Sequence, residues 1–205
     1  MPNSLPPEKS RPTQARAVLK RNALIHAASA DFQAFGYDDT TAKTIAHRAG
    51  VATGTFYQYF HNKDDILRTI ATLRFEFLLE RVESPTAKLD NKTVTETFRR
   101  IITLIYDFHE RDPQLHQVLE QRRHRDSHLE KILINGETVL EERVLRFVQT
   151  FNLPNANIIA FNLFAMAEGL VHRHVFSHSV SSDRENVIEL GADMLASYFN
   201  HPQRK

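Results

Sequence analysis

Apolar residues along this chain recur every three or four positions almost throughout. From Ala17 onward, Leu24, Ile25, Ala28, Phe32 and Phe35 mark one face of a helix. Gly36 stands where such a helix stops. Thr40 and Thr41 are suited to cap a second helix, Ala42 to Ala49, closed by Gly50. A third short helix runs from Ala52 to Phe60. Asn62 or Lys63 precedes a long fourth helix through about Val82, with Asp64 and Asp65 in its first turn, where acidic groups suit the helix dipole. Ser84-Pro85 interrupts the pattern and Asn91 restarts it. Thr93 to Glu110 carries Val94, Phe98, Ile101, Ile102, Ile105 and Phe108 on one face. Asp112-Pro113 opens a further helix, since proline is accepted at the first helical position. Leu129 to Phe151 forms another despite Gly136 in its interior. Pro154 separates it from Asn157 to Phe176, and Ser182-Asp183 caps a last helix reaching Phe199. Strand-like alternation and internal repeats do not occur. The pattern predicts an all-α fold of about nine helices: a flexible arm over 1–16, a helical head over 17–63 and a larger helical bundle over 64–205.

Composition narrows the chemistry. The chain has 205 residues, 41% of them hydrophobic, enough to bury a core. It has no Cys, which excludes disulfide frameworks, thiolate zinc sites and cysteine nucleophiles and fits a reducing cytosol. Lys and Arg number eight against four Asp and Glu in residues 1–63, a net +4, which leaves −3 for the remainder. A polyanionic partner is therefore expected at the N-terminal part. The first residues are polar and Pro-rich, unlike a signal peptide. The most apolar run, Ile158 to Val171, is shorter than the roughly 20 residues of a membrane span and contains Asn162 and Glu168. A cytoplasmic protein with no membrane partner is expected.

Residues 41–61 read TAKTIAHRAGVATGTFYQYFH. Ala46 is small where two helix axes would approach, and Gly50 can take the positive φ of a tight turn. Ile45, Ala49, Val51, Phe56 and Phe60 supply inner-face contacts. This is the layout of a helix-turn-helix, and it leaves Thr53, Thr55, Tyr57, Gln58 and Tyr59 near the exposed end of a helix that could enter a major groove. Lys43 and Lys63 flank them, phosphate-type contacts around base-type contacts. Gln58 can pair with adenine or bond a phosphate. The tyrosines can donate to phosphate oxygens or pack on sugar and thymine methyl groups, or belong to the small core.

At this point the sequence resembles the TetR-type transcriptional regulators. The resemblance is carried by AlaAla at 27–28, Phe32, GlyTyr at 36–37, ThrThr at 40–41, IleAla at 45–46, AlaGlyVal at 49–51, GlyThrPheTyr at 54–57, TyrPhe at 59–60 and Lys63. It implies a three-helix DNA-binding head, a helical ligand-binding body, and a homodimer formed mainly by the last two helices. Carried over by position, it places Thr41, Ala42 and Lys43 at the DNA backbone. Thr53, Gly54, Thr55, Tyr57, Gln58 and Tyr59 face the DNA, with backbone approaching backbone at Gly54, and Lys63 lies on a phosphate. Three residues depart from the family pattern. Ala52 stands where many members have Ser, which would pass the helix cap to Thr53. Asp31 stands where many have Leu on the core side, and Ala42 lacks a hydroxyl that some members use.

The body resembles the family in helix count more than in motifs. Ile158, Ile159, Phe161, Leu163, Phe164, Met166, Leu170, Val171 and Val175 surround one helix with apolar groups, and such a helix needs cover on every side. The final helix offers Val187, Leu190, Gly191, Met194, Leu195, Tyr198 and Phe199. Pairing both helices with twofold mates would complete a four-helix interface, although a buried helix in a monomer uses the same residues. The candidate pocket wall comprises Phe108, His109, Phe147, Phe161, Phe164, Glu168 and His172, among neighbours such as Phe98, Ile102, Ile105 and Leu115 that equally suit a plain core. This composition suits an aromatic or lipid-like molecule with one polar end. Eleven His keep a helical metal-dependent enzyme or sensor open, with His174 and His178 four apart. Glu168 and His172 are spaced one residue too far for a Glu-x-x-His pair. The run Arg122 to His128 reads as a solvated helix end. No phosphate loop or nucleophile elbow is present, so neither a cofactor nor an enzymatic role is expected. A ligand-responsive repressor on a palindromic operator is the leading expectation, with a protein-interaction bundle as a further alternative.

Overall fold

The computed structural model describes residues 14–81, 91–177 and 183–200, all helix and connecting turn with no strand among the described residues. Its elements are α1 (Ala15–Phe35), α2 (Ala42–Arg48), α3 (Thr53–Tyr59), α4 (Lys63–Arg81), α5 (Asn91–Arg111), α6 (Pro113–Arg123), α7 (Ser127–Gln149), α8 (Ala156–Ser177) and α9 (Arg184–Asn200). The all-α architecture expected from the periodicity is what the chain adopts. The arm lies outside the described residues through position 13, and its last two residues, Ala15 and Arg16, already belong to α1. Ser84-Pro85, Val82, His178 and Ser182 also lie outside the described residues.

Local chemistry sets the helix ends. Gly36 closes α1 at φ +73°, its N–H donating to the Phe32 carbonyl at 3.0 Å. The Thr40 hydroxyl donates back to the Gly36 carbonyl at 2.6 Å, so of the two expected caps only Thr41 serves α2. There the Thr41 hydroxyl accepts the Thr44 N–H at 3.1 Å and the Thr44 hydroxyl accepts the Thr41 N–H at 3.0 Å, a reciprocal capping box. α7 starts at Ser127, two residues before the expected Leu129, and Asp126 caps it, its carboxylate accepting the His128 and Leu129 N–H groups at 3.0 and 3.1 Å. Asp183 caps α9 by accepting the Asn186 N–H at 2.8 Å.

The described residues form two compact units, 14–73 with 114–132 and 74–113 with 133–200. The first unit holds all of 17–63 and also the start of α4, α6 and the first turns of α7. Leu24, Phe32, Ile45, Ala46, Phe56, Phe60, Ile66 and Leu67 are buried at its centre. Burial of such large apolar side chains contributes about 1.5–3 kcal/mol each. Asp31, fully buried, is held by the Nε–H of Arg48 on α2, so an ion pair occupies the place where the resemblance puts leucine. The run Arg122 to His128 is not simply solvated. Asp126 is buried and accepts from Arg68 of α4 at 2.8 Å, and Arg122 donates to Asp64 at 3.1 Å. Burial alone would push the Asp126 carboxyl up. The Arg68 hydrogen bond and the two backbone N–H groups outweigh it and hold the carboxyl below the usual carboxylate range.

In the second unit α5 packs on α8 and α9. Its core draws Phe98, Ile102 and Tyr106 from α5, Phe147 and Val148 from α7, Leu163 and Val171 from α8, and Ile188 and Leu195 from α9. Phe98, Phe147 and Phe199 meet with ring centroids 5.6–5.8 Å apart. Arg99 forks onto both carboxylate oxygens of Glu189 at 2.6 and 2.7 Å, tying α5 to α9.

Candidate nucleic-acid interface

The turn between α2 and α3 fixes the angle at which α3 is presented. Gly50 sits at φ +67°, its N–H donating to the His47 carbonyl at 3.1 Å, while the Val51 N–H reaches the Ala46 carbonyl at 3.0 Å. This paired pattern ends α2 and requires a left-handed residue where Gly50 stands. Ala46 is fully buried at the crossing, and Ile45 and Phe56 anchor the two helices from within. The opposite side of α3 is open. Thr53, Gly54, Tyr57 and Gln58 are exposed, and Thr55 and Tyr59 are half-buried. A Cβ built on Gly54 would meet no atom within 4 Å, so the protein itself does not demand glycine there. Ala52, in extended conformation, occupies the N-cap without a side-chain cap, and Thr53 is the first helical residue, so the cap does not pass to Thr53. Beside this surface Thr41 and Lys43 are exposed and Ala42 is half-buried at the start of α2. Nine of the ten candidate DNA contacts thus lie on α3 and the opening of α2.

Lys63 is placed differently from the rest. Its ammonium donates to the carbonyls of Tyr37, Thr40 and Asp38 at 2.8, 3.2 and 3.3 Å and lies 4.0 Å from the centre of the Tyr37 ring. Three donors thus meet three carbonyls of the α1–α2 loop, where the resemblance implies a phosphate. Arg122 also lies 4.0 Å from the Tyr37 ring centre, and the Tyr37 hydroxyl donates to Asp64. Burial and the Asp64 carboxylate raise the phenol well above its ordinary value, so it stays a donor. Sequence reading overlooked this knot of Tyr37, Lys63, Asp64 and Arg122. Only the GlyTyr pair at 36–37 signalled it, because Arg122 joins from 58 residues beyond Asp64.

In the body, Phe108, His109, Glu168 and His172 come together. His109 is buried, its Nδ1 lies 2.9 Å from the Ile105 carbonyl and its Nε2 3.5 Å from Glu168, and the His109 and His172 ring centres are 6.1 Å apart. Phe108 meets His109 edge-on at 5.5 Å. Phe147 lies in the aromatic core with Phe98 and Phe199, and Phe161 is 59% exposed on the outer side of α8, so neither joins that group. Phe164 is half-buried. No three His, Asp or Glu gather as metal ligands among the described residues. No helix among them is long and apolar enough to cross a membrane.

Residues 24–70 match the family model of bacterial regulatory proteins of the tetR family, and residues 93–199 match that of the tetracyclin repressor-like C-terminal domain. The second match alone spans more than half of the chain. The chain belongs to the TetR family. It is 29% identical over 146 residues to the nucleoid occlusion factor SlmA of Sodalis glossinidius, covering 66% of this chain and 72% of that protein. Among solved structures, a TetR-family regulator from Mesorhizobium loti superimposes with a TM-score of 0.74 at 21% identity, covering 91% of this chain and 97% of that one. SmeT, the repressor of a Stenotrophomonas maltophilia multidrug efflux pump, solved in complex with triclosan, gives 0.68 at 20% identity, covering 87% and 90%. These structural likenesses carry the fold. The helix-turn-helix of this TetR-family chain makes it a DNA-binding transcriptional regulator.

Proposed function

We propose that this TetR-family chain is a homodimeric, ligand-responsive repressor whose two heads read a palindromic operator in the cytoplasm. One observation carries the reading. The described residues of α8 and α9 leave large apolar side chains in the open: Ile158, Phe161, Met166, Leu190, Met194 and Tyr198 are each more than half exposed. The sequence led us to expect α8 to be covered all round, and within one chain only the side bearing Ile159, Leu163, Ala167 and Val171 is. A second copy supplies the missing cover. Dimerisation also answers a need of the head, because one short helix in one major groove makes few contacts.

In this reading Gln58 and Tyr57 contact base edges or sugars, Thr53, Thr55 and Tyr59 lie beside them, and Thr41, Ala42 and Lys43 approach the backbone. The body holds a small apolar or amphipathic ligand near Phe108, His109, Glu168 and His172. It represses by binding DNA in the ligand-free state, and the ligand releases it by favouring a head spacing that no longer fits. SmeT, which shares this fold, was solved as a complex with triclosan, and this supports a ligand-responsive reading. Selection of bound DNA from a random pool tests the proposal. The expected result is an inverted repeat with half-sites about 34–36 Å apart or a multiple of that. Absence of any enriched duplex, or enrichment of a single half-site, would overturn it.

A further inference from the structure

We propose that the second unit binds a small aromatic carboxylate in a groove formed by the last turns of α4, the C-terminal half of α5 and the start of α9. This deepens the ligand-responsive reading and rests on it for its regulatory meaning. The groove is open to solvent on one side and has a volume of about 460 Å³, within the roughly 300–1,000 Å³ of small-molecule sites. Phe77, Leu78, Leu104 and Phe108 supply apolar wall. Phe108 also touches His109, so the groove adjoins the polar group described above.

The charges decide the ligand class. Three guanidinium groups line the groove with two carboxylates. Arg184 is committed, donating to Glu110 at 2.7 Å and Asp107 at 2.5 Å. Arg81 and Arg111 are not committed in this way. Their guanidinium carbons lie 3.3 and 4.5 Å from the centre of the same Phe77 ring. Arg81 gives one N–H to the Phe77 carbonyl at 3.2 Å. Arg111 stands 3.7 Å from Asp112, whose carboxylate already accepts from Arg74 at 3.0 Å. Neither Arg81 nor Arg111 has a carboxylate within hydrogen-bond distance among the described residues. A guanidinium over a ring keeps N–H groups at its edge for other partners, four of them in Arg81 after its bond to the Phe77 carbonyl, and such an edge grips a carboxylate. Two like charges beside one ring also gain from an anion between them. The groove therefore offers an aromatic surface with a positive edge, which matches a flat ring bearing one carboxylate.

Isothermal titration of the full chain with 2-naphthoate tests this, with 2-naphthamide as the neutral isostere and decanoate as an alkyl acid. The expected result is binding of naphthoate at least about tenfold tighter than the amide, with Arg81→Gln and Arg111→Gln each weakening naphthoate about tenfold and leaving the amide unchanged. Both arginines lie at the surface, and unchanged thermal melts confirm folded variants. Equal binding of acid and amide, no binding of naphthoate, or a double variant that binds like the parent overturns the proposal. Decanoate binding tighter than naphthoate overturns the aromatic assignment. DNA selection is read separately. A chain that selects an operator yet ignores naphthoate ends this proposal alone, and one that binds naphthoate yet selects no inverted repeat ends the palindromic-operator repressor reading instead.

Discussion

Gly54 and Lys63 show how single residues divide between holding the head and serving DNA. Gly54 lies inside α3 at an ordinary helical φ, and a Cβ there meets nothing within the protein. Alanine should therefore stabilise the head by up to about 1 kcal/mol through helix propensity. If duplex backbone approaches this face, the same methyl should weaken operator binding. Thermal melts and titrations of Gly54→Ala should move in opposite directions, and a variant that gains stability at full affinity would remove Gly54 from the interface. Lys63 should behave otherwise. Its three carbonyl bonds make it a clamp on the α1–α2 loop. Lys63→Met should cost about 1–2 kcal/mol of head stability. A direct phosphate contact would instead lower the salt slope of binding by about 0.9. We expect an unchanged slope with a lower Tm, and a slope reduced by one contact at constant Tm would return Lys63 to the phosphate. The exposed α3 residues were legible in the sequence because their exposure follows from a seven-residue helix and its apolar partners. The partners of Lys63 were not, since they lie 23–26 positions away and are backbone atoms that no side-chain pattern announces.

Helices and their ends were readable where the signal is local: Gly36, Thr41, Gly50 and Pro113 each act where they stand. The signal failed where a polar run hides a tertiary contact. Arg122 to His128 reads as solvent-loving, yet Asp126 is both the cap of α7 and the buried partner of Arg68. Gly136 is a similar case. It sits in the interior of α7, where glycine costs about 1 kcal/mol relative to alanine. A Cβ at this position would lie 2.3 Å from the Phe75 ring of α4, and three ring atoms fall within 2.5 Å. Local propensity thus yields to close packing of two helices. Gly136→Ala should destabilise the protein by about 1–3 kcal/mol despite its better helix propensity, because the ring base must move with its backbone. Urea unfolding measures this. Pairing the change with Phe75→Leu should recover part of the loss, and a stabilised single variant would show that the two helices can part at no cost.

At the scale of the whole molecule the open face of α8 and α9 separates a monomeric account from a dimeric one. Within one chain Phe161 and Met194 are each 59% exposed and already in contact with water, so glutamate at either place should leave the isolated fold nearly intact. Across a twofold interface the same change buries an unpaired charge on each side, a cost of several kcal/mol per pair. Phe161→Glu with Met194→Glu should therefore halve the mass seen in sedimentation while the helical signal and the melting of the head persist. Operator affinity should fall by about 10²–10⁴, the advantage lost when two linked heads become independent. Leu19 provides the control. It is 70% exposed on α1, far in sequence from the apolar face, and Leu19→Glu should change neither mass nor half-site spacing. A double variant that remains dimeric would move the interface away from α8 and α9. A parent chain that is monomeric yet still selects an inverted repeat would mean that DNA, rather than these helices, brings the two heads together.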